Sequence, residues 1–93
     1  MPVYFVSYDL IEAFSGEKRD YQAVYAQISE FEHFEVLYSE FLVEADSASS
    51  VEETLTQALR KTDRYFITRL HSNWYKYRAM KGVNQWLEDH PPG

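Results

Sequence analysis

The stretch "VYFVSYDL", Val3 to Leu10, is an almost unbroken apolar run that closes on an acid. Eight residues rich in Val, Tyr and Phe read as a strand buried on both faces. An ionised carboxylate inside such a strand is costly without a partner, so Asp9 belongs at the strand's mouth, where it caps a segment or holds a ligand.

Outward from this strand, Tyr21, Val24, Tyr25 and Ile28 recur at helical spacing behind Asp20. They predict a first helix over about Tyr21 to Glu30 with Asp20 as its N-cap. In "HFEVLYSEFLVEA", Phe34, Val36 and Tyr38 alternate with Glu35, Leu37 and Ser39, and Phe41-Leu42-Val43 follows directly. This predicts a tight hairpin of two short strands turning near Ser39-Glu40. Ser50 with Glu53 forms a capping box for a second helix that carries Val51, Leu55 and Leu59 and ends near Lys61. "RYFITRL", Arg64 to Leu70, is a fourth strand. An aromatic segment, Trp74 to Tyr77, and a short helix around Val83 to Asp89 complete the chain.

The order βαββαβ with short links reads as one α+β domain over residues 1–93, a ferredoxin-like sandwich. It has a four-stranded antiparallel sheet and two helices on one face, with its core over about residues 3–70 and a short C-terminal helical extension over 71–93. In that topology the exit of the first strand, the hairpin turn and the start of the fourth strand share one end of the sheet. Asp9 is therefore grouped with Ser39, Glu40, Asp63 and Arg64, and with Lys18 and Arg19 ahead of the first helix. His33, Glu44, Asp46 and His71 fall at the far end. Tyr4, Val6 and Tyr8 point to one face of the sheet and Val3 and Phe5 to the other, so the helix-free face also needs cover. A second copy of the chain supplies it most economically, which predicts a homodimer; the alternative is that the aromatic tail folds back.

The 93 residues are 45% apolar and 17% aromatic, which excludes a disordered chain. There is no cysteine, so disulfides, thiolate metal sites and a cysteine nucleophile are excluded. No run is apolar enough to span a membrane and no signal core follows Met1-Pro2, so a cytoplasmic protein with no membrane partner is expected. The formal charge is −6, unevenly spread: residues 1–59 hold twelve acids and two bases, residues 60–93 three acids and seven bases. Nucleic-acid binding therefore points to the second part, to Arg60, Lys61, Arg64 and Arg78. His33, His71 and His90 show no ligand spacing. Ser39 has no histidine near it in sequence to act as base and reads as a turn residue.

Four features together resemble one family: a strand ending in Tyr8-Asp9-Leu10, the pair Lys18-Arg19 before the first helix, the hairpin "LYSEFLVE" with Ser39 and Phe41 two apart, and the closing strand "DRYFITRL". The family is the CRISPR-associated Cas-two nucleases and their relatives, which include the virulence-associated protein D toxins. The similarity covers about residues 3–70. The tail, with Gly82 and Trp86-Leu87, is more similar to stand-alone relatives labelled SinR-like. The resemblance implies a ferredoxin-like homodimer whose sheets meet near the two-fold axis. It implies Asp9 as catalytic and metal-binding residue, facing its copy across a cleft and holding Mg²⁺ or Mn²⁺. It also implies supporting roles for Ser39 and Phe41; beside the resemblance, Glu40 or Glu12 offers a further oxygen to such a cation. Leu37, where a glutamine is common, Glu40, where an apolar residue is common, and the long loop Ile11 to Asp20 depart from the family pattern.

Two functions follow as expectations. One is a homodimeric, divalent-metal-dependent endonuclease acting on RNA or DNA. The other is a catalytically inactive dimeric interaction module of the same fold, whose acidic first half meets a basic partner protein.

Overall fold

A computed structural model describes residues 1–71 and 82–92. The chain runs β1 (Val3–Asp9), α1 (Tyr21–Ile28), β2 (Glu32–Leu37), β3 (Glu40–Glu44), α2 (Ala48–Thr56), β4 (Arg64–Leu70) and α3 (Val83–Asp89). The strands form one sheet in the order β2-β3-β1-β4, with every neighbouring pair antiparallel. The fold is α+β, a four-stranded antiparallel sheet with three helices. The aromatic segment Trp74 to Tyr77 and Arg78 lie outside the described residues.

Alternation along β1 sorts its side chains between two cores. Tyr4, Val6 and Tyr8, with Phe41 and Val43 of β3, pack against Val24 and Ile28 of α1 and Val51 and Leu55 of α2. Val3, with Leu42 and Val36, packs against Val83, Trp86 and Leu87 of α3, and Phe5, Phe34 and Leu70 border that cluster. A central strand buried on both faces follows from these two layers, as the apolar run of β1 requires.

The C-terminal helix thus covers part of the face opposite α1 and α2, the cover that stood as the alternative to a second copy. It does so at the end of the sheet where β1 begins, since Val3 lies opposite both Glu44 and Leu70. Gly82 starts α3 in the left-handed region at φ 95°, and a Cβ there would stand 3.2 Å from Phe34 Cζ. Two constraints, conformation and space, select glycine at that position. Towards the other end of the same face Phe66 is 63% exposed and Leu37 46% exposed.

The first helix is capped as expected: the Asp20 carboxylate accepts from the N–H groups of Gln22 and Ala23. The second helix corrects its expected start. Ser47, in extended conformation, is the N-cap, and its hydroxyl accepts from the Ser50 N–H at 3.1 Å. Ser50 lies inside the first turn and donates its own hydroxyl back to the Ser47 carbonyl at 2.9 Å. The capping box read from Ser50 and Glu53 is one turn too late because three serines within four residues, Ser47, Ser49 and Ser50, compete for the cap. The helix also ends at Thr56, ahead of Lys61, where the chain tightens into three-residue turns through Ala58 N–H to Leu55 O and Leu59 N–H to Thr56 O. Among the described residues no helix is long and apolar enough to cross a membrane.

Candidate functional site at the Asp9 end of the sheet

The hairpin closes over Tyr38-Ser39, with Leu37 opposite Glu40. Ser39 takes φ 62°, and its carbonyl accepts from the Tyr8 N–H at 3.2 Å. A bulge between Glu35 and Leu37 precedes the turn. Ser39 therefore bends the hairpin and ties it to the exit of β1. Phe41 is 1% exposed and stacks on Tyr8 with ring centroids 6.2 Å apart, so it supports this end from the helix side.

The loop anchor at this end is Asp63. Its carboxylate accepts from the Ile11 N–H at 2.9 Å and the Arg60 N–H at 2.8 Å. It also takes both ends of the Arg19 guanidinium at 2.6 Å each. The Arg19 and Asp63 side chains are 7% and 0% exposed. One acid thus joins the segment leaving β1, the approach to α1 and the turn before β4. Arg19 holds the Asp63 carboxyl well below its ordinary value of 3.8, opposing the rise that burial alone would cause. Beside it, Arg60 donates twice to Glu17, at 3.1 and 2.7 Å.

Topology groups Asp63 and Arg19 at this end without pairing them. The signal is faint: an acid in the turn before a strand and a base before a helix, 44 residues apart.

Asp9 stands apart from this clasp. It is the last residue of β1, exposed, and lies opposite Arg64. By the alternation of the strand it shares the face opposite α1 and α2 with Phe5 and Ser7. Glu40 lies opposite Ser7 and so occupies the same face, one diagonal step from Asp9. Glu12 is exposed in the loop beyond Ile11. Among the described residues no group of three or more His, Asp or Glu side chains is placed to hold a metal ion. The Tyr8 phenol, next in sequence but on the opposite face, is pushed up to about 12 by burial first and the nearby Glu35 second. It stays protonated at neutral pH.

Of the basic residues expected to meet nucleic acid, Arg60 is engaged with Glu17 and Lys61 and Arg64 are exposed. A cleft of about 330 Å³ lies on the helix side, between Lys18, Arg19 and Asp20 before α1 and Gln57, Leu59 and Arg60 after α2. It does not include Asp9. His33 has its Nδ1 2.8 Å from the Phe31 carbonyl and sits edge-on to Tyr25, a packed position remote from Asp9.

No family model matches the chain.

Proposed function

We propose that the chain is a ferredoxin-like homodimer of the Cas-two kind that acts on nucleic acid through the Asp9 end of its sheet. The strand order β2-β3-β1-β4, read in reverse as 4-1-3-2, supports the ferredoxin-like assignment. The observation that carries the functional reading is the position of Asp9: an exposed carboxylate closing a buried central strand, on the face opposite α1 and α2 beyond the reach of α3's cluster, and free of the loop-anchoring role that Asp63 performs. Two copies meeting on the uncovered part of that face, around Phe66 and Leu37, would bring two such carboxylates together.

Asp9, with Glu40 on the same face, offers the hard oxygen donors that Mg²⁺ or Mn²⁺ takes, and such cations are commonly held by one or two carboxylates together with substrate phosphates. The cation would supply Lewis-acid stabilisation and a more acidic bound water for phosphodiester hydrolysis. The chain's own contribution is to hold the carboxylate at a fixed strand end, with Arg64 beside it as a contact for substrate phosphate.

The test is cleavage of single- and double-stranded RNA and DNA with Mg²⁺, Mn²⁺ or EDTA, using the parent and Asp9→Asn. The expected result is metal-dependent cleavage that Asp9→Asn abolishes without loss of fold or of the dimer, read by light scattering. Parent protein that cleaves none of the four substrates overturns the nuclease reading.

A second reading, a non-catalytic interaction module with an acidic surface for a basic partner protein, is favoured by one arrangement. Asp9 lies opposite Arg64, a cation that competes with a metal for the same carboxylate. Parent protein that dimerises, shows no thermal stabilisation by divalent ions and cleaves nothing would establish it.

A further inference from the structure

The two edges of the sheet are built differently. At one edge β2 carries Glu32 and Glu35 and is broken by the bulge between Glu35 and Leu37. A bulge and charges of one sign are the usual devices that keep an edge strand from pairing with another chain. At the other edge β4 has neither a bulge nor a proline. Its register against β1 is unbroken over all seven residues, Arg64 to Leu70. Five of the seven are exposed, Phe66 among them at 63%. Along the outer side of such a strand, alternate residues direct their N–H and C=O groups away from the sheet. Among the described residues nothing pairs with that side.

The charged side chains on the edge strand itself are both cations, with Asp9 of β1 opposite Arg64 and Glu52 of α2 accepting from the Tyr65 hydroxyl. Arg64 and Arg69 are exposed, lie on opposite faces because they are five residues apart, and enter no ion pair among the described residues. Between them lie Tyr65, Phe66, Ile67 and Thr68, all favourable strand residues. We propose that the outer edge of β4 docks an extended acidic segment of a partner protein, which adds a fifth, antiparallel strand. Its acids would face Arg69 and Arg64, and its apolar residues Ile67 and Phe66.

Main-chain bonding to the edge gives such a mode its affinity, and the alternating side chains give it specificity. Charge decides the occupant. A second copy offering its own β4 would bring the same two arginines and no acid. A copy offering β2 would bring Glu32 and Glu35 on a strand whose bulge interrupts a seven-residue ladder. An unbulged acidic segment matches both the length and the charge.

The probe is the heptapeptide Thr-Glu-Thr-Val-Val-Thr-Glu, written to lie antiparallel along residues 70 to 64, carrying a fluorophore on a flexible amino-terminal linker. It is titrated by anisotropy with the full chain. The expected result is saturable binding at least about tenfold tighter than that of the same peptide with Lys for Glu, since like charges placed together oppose docking. N-methylation at one set of alternate residues should abolish binding, and at the other set leave it nearly unchanged, because only one set faces the edge. The double variant Arg64→Glu, Arg69→Glu should transfer the preference to the Lys peptide. If that variant fails to fold, the two N-methylated peptides on the parent chain decide alone. Equal loss with both N-methylated forms, or none with either, overturns the added strand. A dimer that must dissociate before the peptide binds assigns the edge to a second copy and overturns the partner, whereas a dimer that binds the peptide intact leaves the edge to the partner.

Discussion

Replacing Asp63 by Asn keeps the shape of the side chain and removes its charge. In the parent, four donors converge on this carboxylate: two backbone N–H groups at 2.8 and 2.9 Å and two guanidinium N–H groups at 2.6 Å. An amide presents one oxygen and one NH₂ group to the same four donors, so at least one donor meets another donor. The Arg19 guanidinium is left shielded and without its bonded partner, and the nearby acid Glu17 is already held by Arg60. Removing one partner of a buried ion pair costs about 3–5 kcal/mol, and because the clasp sits in surface loops the lower end, about 3 kcal/mol, applies. In a domain of this size each 1 kcal/mol moves Tm by about 4–8 °C, so Asp63→Asn should melt roughly 12–24 °C below the parent. Far-UV circular dichroism against temperature, with urea melts at 25 °C, measures both quantities. A second substitution, Arg19→Met, should return part of the loss by removing the unpaired cation. A single variant melting within 3 °C of the parent would refute the view that this clasp holds the end of the sheet together.

The same carboxylate sets an acid dependence. Its folded-state value lies below the ordinary 3.8, so its contribution is complete above about pH 4 and is lost as pH falls from there towards the folded-state value. The stability gap between parent and Asp63→Asn should therefore hold constant from pH 7 to 5 and narrow below pH 4; a gap that stays constant to pH 2.5 would sink the assignment. Gly82→Ala should loosen α3 from the sheet, at a cost of about 1–2 kcal/mol for a left-handed residue, before counting the contact with Phe34. Faster limited proteolysis beyond residue 82, with β1 to β4 still protected, is the expected readout, and unchanged cleavage would contradict it.

The sheet was legible in the sequence because its strands are short apolar runs or alternations bounded by polar turns. Arg64 to Leu70 and Val83 to Asp89 match their expected bounds, and the hairpin turn is displaced by one residue, to Tyr38-Ser39. The start of α2 was not legible, since Ser47, Ser49 and Ser50 offer interchangeable caps and only the extended backbone at Ser47 selects one. The cover on the second face was open between a second copy and the tail. Composition shows that an apolar face needs covering but not which chain covers it, and Trp86 and Leu87 settle it locally through contacts more than 40 residues away in sequence. In the candidate site the shared end of Asp9, Ser39, Glu40, Asp63 and Arg64 followed from topology alone. The division of labour between Asp9 and Asp63 did not, because it depends on side-chain geometry.

That division bears on how Asp9 should be read. A lone acid at a strand end is ordinarily explained by the backbone N–H groups that its own loop must satisfy. Here the Ile11 N–H, the one nearest to that role, is taken by Asp63 from the opposite side of the sequence. Asp9 is left exposed and opposite Arg64, so neutralising it disturbs no loop and removes only a surface charge, a change normally worth within about 0.5 kcal/mol. Loss of activity in Asp9→Asn would then report on chemistry and not on folding. The same separation predicts an opposite pattern for Asp63→Asn, in which stability falls and any cleavage falls only in proportion to the folded fraction.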